Sequence, residues 1–102
     1  MRKGNRMKFI QIMEFEGDAG EATQAIENYI EQAGDGTFVK KATLCADRDT
    51  PGTIVQLIEF ASFEDAERNN ELEATDEGHV EGEESFGEIQ FRNLDVIGEY
   101  IF

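Results

Sequence analysis

Apolar positions recur with period two in four stretches of the chain and with helical spacing in two stretches between them. Lys8 to Glu16, KFIQIMEFE, alternates as a strand, with Phe9, Met13 and Phe15 on one side and Ile10 and Ile12 on the other. Both sides carry apolar groups, so both are predicted to be covered. Asp18 to Ala33 predicts a helix. Asp18 is placed to cap it, and Glu21 stands three residues on in the capping-box position. Ala22, Ala25, Ile26, Tyr29, Ile30 and Ala33 form its apolar stripe, and Gly34 and Gly36 end it.

Thr37 to Ala46 predicts a second strand, with Phe38, Ala42 and Leu44 on one face and Val39, Thr43 and Cys45 on the other. The segment DRDTPG, Asp47 to Gly52, is a turn by its residue types. Thr53 to Ala61 predicts a third strand, β-branched and apolar on both faces, hence central and paired in a hairpin with the second. Ser62 caps a second helix, with Asp65 in the capping-box position and Phe63 and Ala66 as its first inward residues. After Asn69-Asn70 the pattern thins, which predicts a break near Glu73 to Thr75 and a short helix to about Glu83. Ser85 to Gly87 reads as a turn or strand start, and Glu88 to Phe102 as a long last strand with a bulge at Gly98.

This β-α-β-β-α-β order is the ferredoxin-like arrangement, an α+β fold with a four-stranded antiparallel sheet and both helices on one face. The other face retains side chains such as Phe, Ile and Val. An apolar patch of that size is unusual on a soluble monomer, so two sheets packed face to face in a homodimer are the expected solution. Residues 7–102 read as a single domain, and residues 1–6 as a flexible extension preceding the patterned sequence.

Composition narrows the partners. The net charge is −14, from 23 acidic and nine basic residues, so the surface repels nucleic acid and anionic membranes. The acids are spread along the chain, which fits adaptation to a salty cytoplasm better than an acidic tail aimed at a basic partner. From Glu59 to Glu88 there are twelve acids and one base, Arg68. The lone Cys45 excludes an internal disulfide and a cysteine-cluster metal site, and its apolar strand predicts a buried thiol. There is no apolar run of a membrane span and no signal-peptide core, so the expected location is cytoplasmic. Metal-ligand spacing, P-loop, GxGxxG and nucleophile elbow are all absent from the sequence.

Glu59-Phe60-x-Ser62 at a strand end, then Asn69, Asn70 and Thr75, then Phe91-x-Asn93-Leu94-Asp95-Val96 together resemble the dimeric α+β barrel superfamily. More narrowly, they resemble its antibiotic-biosynthesis-monooxygenase-like domains, over about residues 7–97. The resemblance implies a ligand cleft between sheet and helices, with the second helix and last strand at its mouth. It thereby implies Asn69, Asn70, Thr75, His79, Phe86, Phe91 and Asn93 as lining residues, and activity that needs no cofactor. The haem-degrading branch also has a histidine late in the second helix. It adds a Trp there and an Asn on the first strand, both missing from this chain.

His79 is the single histidine, and its side-chain type suits proton transfer near neutral pH; its alternative is a surface histidine on an acidic helix. Asn69 and Asn70 are poor helix formers, and one of them must face inward if the helix continues. A cleft-facing amide there would hold a hydroxyl, a carbonyl or dioxygen; otherwise the pair is a polar helix end. Asn93 is a cleft residue or a hydrogen bond at a turn or dimer interface. The acids Glu71, Glu73, Asp76 and Glu77 read as a solvated face rather than a cation site. Two functions follow from these features. One is a small dimeric protein that binds an apolar or aromatic molecule. The other is a cofactor-independent monooxygenase acting on a phenolic or quinol-type substrate.

Overall fold

The structure is a computed structural model and describes residues 7–72, 75, 82, 84 and 86–102. Its elements are β1 (Phe9–Glu16), α1 (Ala19–Ala33), a 3-10 turn (Gly34–Gly36), β2 (Val39–Ala46), β3 (Thr53–Phe60), α2 (Phe63–Asn70) and β4 (Gln90–Asp95). The strands form one antiparallel sheet in the order β2-β3-β1-β4. Thr75, Gly82, Glu84 and Phe86 are also helical. The expected ferredoxin-like α+β architecture is present.

Local chemistry sets the helix starts. The Asp18 carboxylate accepts the Glu21 N–H at 3.1 Å. The Ser62 hydroxyl, 1% exposed, accepts the Asp65 N–H at 3.2 Å. Each satisfies one of the donors a helix start leaves unpaired. Gly34 ends α1 at φ +54°, a region costly for side chains with a Cβ. In the β2–β3 turn the Asp47 carboxylate accepts the Asp49 and Thr50 N–H groups at 2.9 and 3.2 Å.

Phe9, Met13 and Phe15 of β1 stand beside Phe60, Ile58 and Ile54 of β3 on the helix-covered face. The core on that face has two clusters. Phe9, Ile58 and Phe60 pack with Ala66 of α2, while Phe15 and Ile54 pack with Ala22 of α1. Phe63 adds an edge-on contact to Phe9, with ring centroids 5.2 Å apart, yet stays 48% exposed at the end of the core. Burying each of these large side chains stabilises the fold by about 2 kcal/mol. The opposite face carries Ile10 and Ile12 of β1, Val55 and Leu57 of β3, and Leu94 of β4, whereas α1 and α2 both pack on the first face.

Several expectations are corrected. Cys45 is exposed, because β2 is an edge strand and Cys45 lies on the uncovered face beside Val55. Val39 shares a face with Ala42 and Leu44 rather than opposing them. A register shift between Val39 and Lys41 adds a residue to β2 and reverses the alternation there. In α1 the stripe is narrower than its spacing suggests: Ala25 and Ile30 are exposed, Ile30 at 60%. Helix α2 stops at Asn70, ahead of the break expected near Glu73 to Thr75; Glu73 and Ala74 lie outside the described residues, and Thr75 is helical. Phe86 is helical rather than part of a turn or strand. β4 is six residues long and ends at Asp95, so the expected strand to Phe102 with a bulge at Gly98 does not form. The Val96 N–H still donates to the Lys8 carbonyl at 2.9 Å, but Ile97, Tyr100, Ile101 and Phe102 are all more than four-fifths exposed.

Candidate functional site

Between the two core clusters the helices stand off the sheet and leave a cavity of about 110 Å³. Its floor is the helix-facing side of the sheet: Gln11, Met13 and Phe15 of β1, Gln56, Ile58 and Phe60 of β3, and Val39 of β2. Ala22, Ala25, Ile26 and Tyr29 of α1 form one wall. Asn69 and Asn70 of α2, with Thr75, Gly82, Phe86 and Ile89, form the other. Ala25 and Asn70 are exposed and mark the mouth. No charged side chain stands among these described lining residues.

Of the residues singled out from the sequence, Asn69, Asn70, Thr75 and Phe86 come together on this cavity. Phe91 and Asn93 do not line it. They lie on the same sheet face, opposite Met13 and Gln11, one strand further out on β4. Asn93 still touches the floor indirectly, because its side-chain oxygen accepts the Gln11 amide at 3.1 Å. His79 lies outside the described residues. Phe86 is positioned by close approach: its ring centroid lies 4.6 Å from that of Phe15, and it covers Gly17. A Cβ at Gly17 would come within 2.7 Å of the Phe86 ring, so glycine there admits this wall residue.

Asn69 is 4% exposed and is the centre of a polar corner. Its Oδ1 accepts the Phe38 N–H at 2.9 Å and the Thr37 hydroxyl at 3.0 Å. The first donor has no alternative role and fixes which end of the amide is oxygen. The Nδ2 group then donates to the Tyr29 hydroxyl at 3.2 Å and the Thr75 hydroxyl at 3.3 Å. Tyr29 also lies 2.9 Å from Thr37 Oγ1 and 3.0 Å from Thr75 Oγ1. One proton assignment satisfies these contacts. With the Thr37 proton on Asn69, Tyr29 donates to Thr37, with a longer approach to Asn69 Oδ1 at 3.4 Å, and Thr75 donates to Tyr29. Every proton of Asn69, Tyr29, Thr37 and Thr75 is then committed within the corner. The group ties α1, the start of β2, α2 and Thr75 together, and leaves Asn69 no proton for a ligand.

The sheet floor is different. Gln11 and Gln56 are diagonal neighbours across β1 and β3, because Gln11 pairs with Ile58 and Gln56 with Met13. Both are half-buried. Gln11 uses one donor on Asn93, and the Gln56 side chain has no hydrogen-bond partner among the described residues. Tyr29, Thr37, Gln11 and Gln56 were not sequence candidates. Tyr29 was legible only as part of an apolar stripe. The two glutamines did carry a signal, as polar residues at helix-facing positions of otherwise apolar strands.

Among the described residues no helix is long and apolar enough to cross a membrane, and no three His, Cys, Asp or Glu side chains group to hold a metal ion. No protein-family model matches the sequence, and no curated relative is found by sequence. Solved structures do match. The mutant structure of SnoaB, a cofactor-independent oxygenase from Streptomyces nogalater, superposes with a TM-score of 0.76 at 10% identity, covering 90% of this chain and 95% of that one. Rv0793 from Mycobacterium tuberculosis gives 0.72 at 11% identity, with coverage of 90% and 97%. A protein provisionally named an antibiotic biosynthesis monooxygenase, from Nitrosomonas europaea, gives 0.69 at 15% identity, with coverage of 97% of each chain. This chain therefore shares the α+β fold of these structures, two of which are named as an oxygenase or provisionally as an antibiotic biosynthesis monooxygenase.

Proposed function

We propose that this protein is a homodimer that binds a small apolar or aromatic molecule in the cavity between sheet and helices. The observation that carries the reading is the cavity itself, a preformed hollow walled by Met13, Phe15, Ile26, Ile58, Phe60 and Phe86. Apolar hollows with a few convergent polar groups are the usual form of small-molecule sites. Asn70, Thr75 and Phe86 are the sequence candidates that would touch a ligand there; Asn69 would act by holding the wall. Phe91 and Asn93 would contribute from the flanking strand, Asn93 through Gln11. Dimerisation would cover Ile10, Ile12, Val55 and Leu57, which otherwise face water from the middle of the open sheet face. The exposed Cys45 would lie near the rim of that interface. Light scattering in molar salt should then give about twice the 11.5 kDa of the chain, and Ile12→Lys should reduce it to one chain mass. A wild-type protein at one chain mass overturns the dimer.

A second reading is favoured by the superposition on SnoaB, which is named a cofactor-independent oxygenase. In it His79 would accept a proton from a phenolic or quinol-type substrate, and the resulting carbanion would add dioxygen. Loss of water from that peroxide would leave one oxygen atom on the substrate, whose own electrons reduce the other. The saturated corner around Asn69 favours binding over this reading, because it leaves that amide no donor with which to stabilise a developing oxyanion. Oxygen uptake over a hydroquinone panel separates the two. Binding without uptake supports the first. Uptake that falls in His79→Ala supports the second.

A further inference from the structure

We infer that the ligand of this cavity is a neutral, single-ring molecule carrying a hydrogen-bonding group, and that Gln56, assisted by Gln11, reads that group from the sheet floor. The inference rests on the binding reading above and adds the ligand's size, charge and polar contact.

Size comes first. At about 110 Å³ the cavity is smaller than the roughly 150 Å³ apolar cavity known to admit benzene. It therefore takes no more than one ring, the far side of which lies at the mouth. A fused polycycle would have to protrude past Ala25 and Asn70 at the mouth. Charge comes second. The described lining offers no carboxylate, ammonium or guanidinium to pair an ionic ligand, and an unpaired charge in such a place is strongly disfavoured. The net charge of −14 further repels anions.

The polar contact comes third. A carboxamide facing an apolar hollow is unfavourable unless something bonds to it. The Asn69 corner has its partners within the protein. Gln56 has none among the described residues, although its strand neighbours on that face, Ile54 and Ile58, are apolar and buried. Gln11 lies roughly 7–8 Å away along the diagonal of the strand pair, and its bond to Asn93 fixes the direction of its side chain. The amide of Gln56 can both accept from a hydroxyl and donate to a carbonyl, so it suits a phenol or a cyclic ketone.

The test uses the full chain, labelled with nitrogen-15, titrated with toluene, 4-methylphenol and 4-methylbenzenesulfonate. Toluene and 4-methylphenol should bind, the sulfonate should not, and 4-methylphenol should shift the side-chain amide signals of Gln56 and Gln11. In Gln56→Leu the affinity for 4-methylphenol should fall about tenfold while that for toluene is kept or increased. Gln11→Leu should show the same pattern more weakly, and serves if the first variant fails to fold. An unchanged ratio of the two affinities in both variants overturns the inference and leaves the binding reading standing. Equal binding of the sulfonate overturns the neutral ligand. A wild-type protein that binds neither toluene nor 4-methylphenol overturns the inference and the binding reading together.

Discussion

Two groups of neutral polar side chains face the same cavity and differ in one respect. At the Asn69 corner five side-chain and backbone groups from four segments share a closed set of hydrogen bonds, with every side-chain proton assigned. On the floor, Gln56 stands among apolar strand residues, its side-chain amide without a partner among the described residues. Polarity and burial alone would rank Asn69 first as a functional residue, since it is 4% exposed and Gln56 is only half-buried. Counting protons reverses the ranking. A saturated amide holds elements in place, whereas an unsaturated one is available to a ligand.

The contrast can be broken most directly at the corner. Asn69→Ala removes both ends of the amide and strands the Phe38 N–H, so it should destabilise the protein by about 3–4 kcal/mol, read as a lower urea midpoint. Tyr29→Phe keeps the ring packing and removes one hydroxyl, and should cost about 1–2 kcal/mol by the same measurement. Gln56→Leu should lie within about 1 kcal/mol of wild type, on the stabilising side, because it removes an amide with no internal partner. If Gln56→Leu cost as much as Asn69→Ala, the floor amide would be structural and the distinction would collapse.

Much of the fold was legible in the chain. The period-two stretches around Phe9 to Phe15 and Ile54 to Phe60, and the caps Asp18 and Ser62, mark elements through local sterics and local hydrogen bonds. The same locality explains the misses. The Val39–Lys41 irregularity depends on how β2 meets β3, and a one-residue insertion inverts every face assignment before it. Ile30 fits the helical stripe of α1 but is 60% exposed, because local spacing does not say which positions the sheet covers. Cys45 was assigned to the interior by its apolar neighbours, whereas edge position and face decide its exposure.

The site divides in the same way. Asn69, Asn70, Thr75 and Phe86 could be named only through the family resemblance and the cleft it implies, and the tertiary structure places all four on one cavity. Their roles could not be read from the pattern. That Asn69 meets Tyr29 forty residues away and Thr37 thirty-two residues away is a property of packing. That Gln11 and Gln56 share a floor follows from the β1–β3 register. The order of elements, the helix caps, the strongly acidic composition and the absence of any cysteine or histidine cluster can be read along the chain, since each depends on composition or near neighbours. Only the tertiary structure decided which amides are satisfied and which face the hollow, because a hydrogen bond depends on distances between segments that the linear order does not carry.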